Sequence, residues 1–491
     1  RDYLRGSASL NDKRDVILTL VFLRFIGEKF DDAQAEMRQQ CINRGITDEE
    51  KIARFLDSPS RYKNIVYVPE AARWSMLINV PASNLVAALD DALQAIEDSG
   101  DTLKGCVKLS LFTSVKIQSN ELKKVVDEVN KISHKVFGEE KDLIGRVYEY
   151  FLKSFAVNAT KEEGEFYTPH DIVELIAAFI EPFDGTLYDP CCGSGGMFIQ
   201  CAKYVEAKQG DITTVNVFGQ EKEDSTFRLA KMNLAMRGIS HHLGDGPIST
   251  FDKDQHAGLV FDYIMANPPF NLSNWGQEKL KDDVRWQFGT PPAGNANYAW
   301  IQHMIHHLAP NGKIGLVLAN GALSTQTSGE GEIRKRIIQA DLVEGIVALP
   351  TQLFYSVTIP VTLWFISKNK KQKGKTLFID ARKMGHMVDK KHRDFTDEDI
   401  QKLADTFEAF QEGTLEDVKG FCAVADLQAI EKQDFILTPG RYVGIEEVED
   451  DGEPFEEKMA RLTSELSEMF KKSHELEDEI RKKLGAIGYE V

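Results

Sequence analysis

The chain has 491 residues, of which 42% are hydrophobic and 28% are charged, and its formal net charge is −18. This length predicts two or three domains rather than one core, in a chain of ordinary globular composition. The acidic balance argues against nucleic-acid binding over the whole surface, because surfaces that bind nucleic acids are usually basic.

The sequence predicts a cytoplasmic protein without contact to a membrane. We find no apolar run of about 18 residues, which a transmembrane helix would need, and the opening residues lack the apolar core of a signal peptide. The six cysteines are scattered without a CxxC pair. This pattern favours reduced thiols over a disulfide framework.

Residues 1–155 are predicted to form an N-terminal helical bundle domain. Apolar residues recur every three or four positions in 15–30 and 84–100, as in amphipathic helices. A similar pattern over 121–155 predicts further helix with a break near Gly138. We interpret this domain as one that packs and docks.

Residues 156–445 are predicted to form an α/β domain, because short β-branched runs alternate with helical stretches in its first part. Strands are expected at 186–190, 215–221, 262–268, 313–320, 342–350 and 361–369. Helices are expected at 195–208, 224–238, 297–309 and 331–340. Since only a loop joins the last two strands, we expect a hairpin and one antiparallel strand in a mostly parallel sheet.

Residues 446–491 contain an acidic linker, "EEVEDDGEPFEE", followed by a long helix with a coiled-coil stripe. Ser473 is the one polar position of the stripe. The apolar residues of the stripe are Phe455, Met459, Leu462, Leu466, Met469, Leu476 and Ile480. The pattern leaves open whether the stripe packs on this chain or on a partner.

The stretch "YDPCCGSGGMF" (188–198) joins the first predicted strand to a helix. Its glycines allow a tight turn and a close backbone approach, at the strand end where doubly wound sheets bind ligands. Asp189 precedes these glycines. An acid there disfavours a pyrophosphate and suits an ammonium group, so the expected ligand is a nucleoside bearing an amino acid rather than NAD.

Two further acids follow in chain order. Glu221 ends the second strand, where a carboxylate can accept hydrogen bonds from ribose hydroxyls. Asp245, in the glycine-flanked loop "HLGDGP", can bond the exocyclic amine of an adenine. An ordinary strand end and a plain turn are the alternatives, and Glu221 gains weight from its position after the glycine turn.

The stretch "DYIMANPPF" ends a buried strand at a rigid polar corner. Pro268 and Pro269 fix two φ angles and remove two N–H donors. The Asn267 side-chain oxygen and the Pro268 carbonyl can then accept both hydrogens of a planar amine and aim its lone pair at a sulfonium methyl group. Phe270 can stack on the ring that carries the amine. A proline-stiffened turn without chemistry is the alternative.

The stretch "GEFYTPHDIVELI" (164–176) opens a helix before the first strand. Thr168 is expected at its N-cap and Pro169 at its first position. Phe166 and Tyr167 can wall a cofactor pocket. An ordinary helix start is the alternative.

In this order, "FYTP", "DPCCGSGG", "GQE", "GDG" and "NPPF" resemble the motifs of amino-group DNA methyltransferases. The runs "GRVYEYFL…GEFYTP", "GEIRKRII…EGIVALPTQLFYSVTIPVTLWFISKNK" and "TPGRYVG" narrow the similarity to the modification (methyltransferase) subunit of type I restriction-modification systems. The similarity covers nearly the whole chain.

This resemblance implies a Rossmann-like seven-stranded S-adenosylmethionine-dependent methyltransferase sheet, with an N-terminal helical domain and a C-terminal long helix. It implies site-specific methylation of adenine N6 in double-stranded DNA, on a flipped base. The implied cofactor contacts are Glu165, Phe166, Tyr167, Thr168, Pro169, His170, Ser194, Gly195, Gly196 and Glu221. Asp189 and Asp245 are expected to join them, because they suit the ammonium group and the adenine amine of the cofactor. The implied reaction residues are Asn267, Pro268, Pro269 and Phe270.

The resemblance also implies partners: one specificity subunit, a second copy of this chain in an M2S1 complex, and restriction subunits in the full assembly. An acidic chain without a recognition domain needs such a DNA-reading partner. The basic loop "KNKKQKGK" (368–375) can touch phosphate, although a solvated loop is the commoner meaning.

Some features of the sequence bear on other functions. His303, His306 and His307 share a helical face, but no acidic or cysteine ligand is evident nearby, so we expect no metal. No GxxxxGK[ST] loop predicts ATP hydrolysis. The same fold can act on protein glutamine, an RNA guanine or cytosine N4, and a non-catalytic assembly subunit is the alternative from another class.

Overall fold

The computed structural model describes residues 9–62, 66–99, 104–115, 117–132, 168–211, 214–354, 359–389, 392–445 and 455–486. The chain divides into two compact units, Arg1–Gly444 and Ile445–Val491. In the described ranges, no helix is both long and apolar enough to span a membrane.

The front of the first unit is helical, as predicted. Its helices are α1 (Leu10–Asn43), α2 (Glu49–Leu56), α3 (Trp74–Leu77), α4 (Ala82–Asp98), α5 (Leu111–Ser114) and α6 (Ser119–Asn130). A capping box starts α1, because the Ser9 hydroxyl accepts from the Asp12 N–H and the Asp12 carboxylate accepts from the Ser9 N–H. The helix expected over 121–155 continues past α6 into residues outside the described ranges.

The rest of this unit is built on one mixed sheet. The strands of this sheet are β1 (Gly185–Asp189), β2 (Val215–Gly219), β3 (His241–His242), β4 (Phe261–Ala266), β5 (Leu308–Ala319), β6 (Val343–Ala348), β7 (Val361–Ser367), β8 (Lys375–Asp380) and β11 (Cys422–Asp426). A separate two-stranded ladder consists of β9 (His386–Met387) and β10 (Arg393–Asp394). The main sheet has nine strands in the order β11-β8-β6-β7-β5-β4-β1-β2-β3. The predicted α/β fold is confirmed, with two strands more than the seven expected.

The predicted β6–β7 hairpin is confirmed, and β7 runs antiparallel to both of its neighbours. The expectation of one antiparallel strand is wrong, because β11 also pairs antiparallel to β8. These two outer strands were missed because their apolar runs are too short for periodicity to distinguish a strand from a loop or helix.

Helices cover both faces of the sheet. They are α7 (His170–Ile180), α8 (Gly196–Ala207), α9 (Asp224–Met236), α10 (Asn297–His306), α11 (Glu330–Gln339), α12 (Asp397–Glu412) and α13 (Leu427–Glu431). Side chains alternate between the faces along each strand. In β1, Leu187 packs with α7, α8, α9 and α12, while Tyr188 packs with α10, α11 and α13. Two cores therefore enclose the sheet.

Helix α9 belongs to two cores at once. Its residues Leu229, Met232, Ala235 and Met236 lie in the core of the front helices. The Lys29 ammonium of α1 also donates to the Met236 carbonyl at 3.1 Å. The front helices thus pack directly on a helix of the α/β part.

The second unit contains one described helix, α14 (Phe455–Ala486), so the predicted long C-terminal helix is confirmed. The apolar side chains described along its stripe are exposed. They are Met459, Leu462, Leu466, Met469, Leu476 and Ile480.

Candidate methyltransferase site

The predicted motifs meet at one edge of the sheet. Strands β2, β1 and β4 are parallel neighbours, with Asp189 opposite Gly219 and Tyr188 opposite Ile264. Parallel strands end at the same edge. The glycine turn, Glu221 and Asn267 follow these three strands directly, so the structure brings them together.

The glycine turn leaves open space in front of it. A Cβ added to Gly193 or Gly196 would meet no atom of the described residues within 4 Å. Gly193 and Gly195 both have left-handed φ values, +55° and +77°, but a Cβ on Gly195 would lie 3.6 Å from the Cα of Ala230 in α9. Gly195 therefore lies against α9, while Gly193 and Gly196 leave room for a ligand.

The Glu221 carboxylate links the first two loops. Its Oε2 accepts from the Gly193 N–H at 2.9 Å, and its Oε1 accepts from the Lys222 and Glu223 N–H groups at 2.8 Å. Burial raises the pKa of Glu221, although these hydrogen bonds oppose the shift. A carboxylate offers about four acceptor positions. One position on Oε2 therefore remains, rather than the two expected for ribose hydroxyls.

Asp189 is buried beneath the turn. Its carboxylate accepts from the Cys191 N–H at 3.0 Å. Burial raises the pKa of Asp189 to about 7, with a smaller contribution from the negative charge of Glu221 and against the hydrogen bonds with Cys191. A cation placed beside Asp189 would favour its charged form.

Side-chain amides hold the glycine turn and the loop around Asp245. The Asn233 amide of α9 donates to the Ser194 carbonyl at 3.0 Å. The Asp245 N–H donates to the Gln255 side-chain oxygen at 2.6 Å, while the Asp245 side chain itself is 95% exposed. The loop around Asp245 is fixed by its backbone, and its carboxylate is accessible.

Asn267 presents a free acceptor at the end of β4. Its Nδ2 donates to the Thr168 hydroxyl oxygen at 2.9 Å. Its Oδ1 is buried and has no hydrogen-bond partner among the described residues. Buried polar atoms are normally paired, so an unpaired one needs an explanation.

Phe270, two residues after Pro268, is half-buried and packs edge-on against Phe354, with 6.4 Å between the ring centroids. The next residue, Asn271, is held by Asn297, whose amide donates to the Asn271 side-chain oxygen at 2.9 Å and accepts from its N–H at 3.0 Å. The asparagine-proline corner is therefore anchored on both sides.

The segment expected to contact the cofactor before β1 is described only from Thr168. Glu165, Phe166 and Tyr167 lie outside the described residues. Helix α7 begins at His170 with Pro169 as N-cap, so the expected N-cap role of Thr168 and the expected first helical position of Pro169 are both wrong by one residue. The Thr168 hydroxyl meets Asn267 instead. The exposed His170 side chain lies 3.4 Å from Glu174 of its own helix.

Asp254 joins His303 and His307 in a cluster whose nitrogen and oxygen atoms lie within 4.8 Å of one another. The expectation that no acid lies near these histidines is wrong, because tertiary packing brings in a residue far along the chain. His306, which was grouped with them, is not part of the cluster.

The four ring nitrogens of this cluster already face protein partners. Those of His303 lie 3.2 Å from Arg285 Nη1 and 3.0 Å from the Tyr188 hydroxyl. Those of His307 lie 2.7 Å from a main-chain carbonyl and 2.9 Å from the Asp254 carboxylate. The cluster is a hydrogen-bond network, and the expected absence of a metal stays a prediction.

Several residues of the site were not found from sequence. Asn233, Asn297 and Phe354 act through contacts between distant segments. Of these three, only Phe354 lies in a stretch that the sequence singles out, the loop expected between the last two predicted strands.

Comparison with known proteins identifies the family. The N-6 DNA Methylase family model matches residues 139–451, and the HsdM N-terminal domain model matches residues 1–129. The HindI type I restriction enzyme methylase subunit of Haemophilus influenzae is 48% identical over 445 residues, covering 86% of this chain and 100% of that protein. The chain belongs to the family of type I restriction enzyme methylase subunits.

Two further relatives support the same family assignment. The MjaIX methylase subunit of Methanocaldococcus jannaschii is 38% identical over 99% of this chain and 90% of its own. The crystal structure of the type I methyltransferase subunit from Streptococcus thermophilus superimposes with a TM-score of 0.74 at 26% identity, covering 90% of this chain and 97% of that one. The predicted resemblance and the methyltransferase fold of this methylase subunit are confirmed.

Proposed function

We propose that this methylase subunit transfers a methyl group from S-adenosylmethionine to the N6 amine of an adenine in DNA. The observation that carries the proposal is the buried Oδ1 of Asn267, which has no partner among the described residues and lies at the sheet edge that also holds the glycine turn. Membership in the N-6 DNA methylase family supports the choice of amine and of nucleic acid.

The reaction needs an amine whose lone pair is free. Asn267 Oδ1 and the Pro268 carbonyl accept its two hydrogens, which directs the lone pair away from the ring and toward the methyl donor. An adenine reaches this corner only by leaving the base stack. Phe270, supported by Phe354, stacks on the flipped ring.

The residues present fit S-adenosylmethionine. The cofactor supplies an electrophilic sulfonium methyl. Asp189 suits its ammonium group, the remaining acceptor position of Glu221 suits a ribose hydroxyl, and the exposed Asp245 suits the adenine amine. The open space before the glycine turn leaves room for the ligand. The predicted contacts of Glu165, Phe166, Tyr167, Pro169, His170, Ser194, Gly195 and Gly196 belong to the same proposal.

We assign the DNA reading to a separate specificity subunit, within an M2S1 complex that restriction subunits complete. The net charge of −18 argues against DNA binding by this chain without a partner. The exposed stripe of α14 is suited to a helical partner. The proposed domains are a helical bundle (1–155), a catalytic domain (156–445), and a linker with its coiled-coil helix (446–491).

The test is methyl transfer from labelled S-adenosylmethionine to unmethylated DNA, with this chain alone and with its specificity subunit. We expect label in N6-methyladenine only in the complex, and its loss in Asn267→Ala. The exposed neighbour Ser273→Ala serves as the matched control and should retain activity.

The alternatives give different results. Label with the chain alone would refute the need for a separate DNA-reading subunit. Cofactor binding without label in DNA would favour a protein or RNA amine, and label in cytosine would indicate N4 chemistry. Absence of cofactor binding would favour a non-catalytic assembly subunit.

A further inference from the structure

The hydrogen bond between Thr168 and Asn267 joins two segments 99 residues apart in the chain. Thr168 lies two residues before the start of α7, while Asn267 directly follows β4. The bond spans 2.9 Å and involves the amide nitrogen of Asn267. It therefore bears on which end of the asparagine side chain faces a substrate.

A terminal amide can be placed in two orientations that differ by a half turn. One presents the oxygen, an acceptor, and the other presents the NH₂ group, a donor. An amine substrate is itself a donor, so only the first orientation can bind it. When the Thr168 hydroxyl accepts from Nδ2, one N–H of the amide is bonded and Oδ1 faces away from Thr168, where it is buried and has no partner among the described residues.

Thr168 is available for this contact because it does not cap the helix. The N-cap position of α7 is Pro169, and no side-chain cap hydrogen bond is present there. A threonine before a helix usually bonds a main-chain N–H of the first turn. Here its hydroxyl is directed to another part of the chain.

We propose that Thr168 is a positioning residue, which holds the Asn267 amide so that the substrate meets an acceptor. This inference rests on the proposed amine methylation. It assigns to Thr168 a role in choosing between a base that carries an amino group and one that does not, beyond any contact with the cofactor.

The variants that test this role are Thr168→Val, which keeps the side-chain shape without the hydroxyl, and Thr168→Ser, which keeps the hydroxyl. The probe is the complex with the specificity subunit, bound to DNA whose target base is held opposite an abasic position. That base is either adenine or unsubstituted purine, the same ring system without the 6-amino group. Removing the opposite base lowers the energy needed for flipping.

We expect the wild-type complex to bind the adenine DNA about tenfold or more tightly than the purine DNA, as one buried hydrogen bond allows. Thr168→Val should lose most of this ratio, and Thr168→Ser should restore it. The thermal midpoint should not change. In the double variant with Asn267→Ala, removing the hydroxyl should have no further effect on the ratio, because Thr168 acts through Asn267.

The outcomes separate this inference from the proposed function. A wild-type complex that neither prefers adenine nor methylates it would refute both. A wild-type preference that Asn267→Ala removes but Thr168→Val retains would overturn only the role of Thr168. A Thr168→Val variant that weakens cofactor binding but keeps the base preference would also overturn it, because the hydroxyl would then serve the cofactor.

Discussion

The main-chain N–H of Gly193 donates to the Glu221 carboxylate across 2.9 Å and so ties the loop after β1 to the end of β2. Replacing Glu221 with Gln leaves one acceptor oxygen and sets an amide donor against main-chain N–H groups. We expect a lower thermal midpoint, and an affinity for S-adenosylmethionine that is lower by about tenfold or more, since a buried N–H without an acceptor costs roughly 1–3 kcal/mol.

Calorimetric titration and thermal unfolding measure both effects of Glu221→Gln. The matched control is Glu223→Gln, because that side chain is 65% exposed and pairs only loosely with Lys222 at 3.9 Å. If Glu221→Gln bound the cofactor as tightly as wild type, the carboxylate would have a purely structural role.

The raised pKa of Asp189 predicts that the folding stability of the protein depends on pH. Burial raises the pKa of this carboxyl to about 7 from the ordinary 3.8, so its contribution to stability is fully present below pH 3.8 and is lost as the pH rises through about 7. The full difference corresponds to roughly 4 kcal/mol as an upper limit. We expect Asp189→Asn to match wild type near pH 4 and to be the more stable protein at pH 8, in denaturant titrations without cofactor.

Cofactor binding should show the opposite dependence on pH at this residue. An ammonium group favours the charged carboxyl, so wild-type affinity for S-adenosylmethionine should increase from about pH 5.5 to 7, where Asp189 loses its proton. Asp189→Asn should bind more weakly and without this increase. A wild-type affinity that is constant over this range would place the ammonium elsewhere.

Replacing Gly196 with alanine is expected to change folding stability and cofactor binding in opposite directions. Gly196 is the first residue of α8, and a Cβ there would meet no atom within 4 Å. Gly196→Ala should stabilise the protein by about 0.5–1 kcal/mol, because alanine favours the helix. It should also weaken cofactor binding about tenfold or more, because its methyl group occupies the space before the turn.

Chemical denaturation and equilibrium binding measure the two effects of Gly196→Ala. The control is Gly294→Ala, whose Cβ also meets nothing within 4 Å but lies outside the glycine turn. Unchanged cofactor affinity in Gly196→Ala would mean that the cofactor does not contact this turn.

The stripe of α14 predicts assembly behaviour. Leu466 is 49% exposed in the middle of the stripe. Leu466→Glu should weaken co-purification with the specificity subunit while leaving the thermal midpoint of the isolated chain unchanged. Ser467→Glu, one position off the stripe, should do neither. Normal assembly of Leu466→Glu would place the partner on another surface.

The parts of the fold that sequence predicted are those with local signals. Glycine spacing located the turn before α8, and alternating strands and helices located the parallel core of the sheet. Strands β8 and β11 were missed because each contributes only a short apolar run, and their pairing depends on neighbours far along the chain.

The same distinction holds for the site. The Asn267 corner was predicted because two prolines mark it, whereas its contact with Thr168 crosses 99 residues and leaves no pattern in sequence. The local rule assigned Thr168 to a helix cap, and a tertiary hydrogen bond overrode it. Asp254 was likewise invisible beside His303 and His307, since only folding brings them together.

Helix α9 has a consequence for how the polypeptide is made. The front helices emerge from the ribosome first, yet part of their core is supplied by Leu229, Met232 and Met236, about a hundred residues later. The nascent front domain therefore exposes an apolar surface until α9 has been synthesised. A catalytic fragment produced without residues 10–130 would expose the opposite half of that contact and should aggregate.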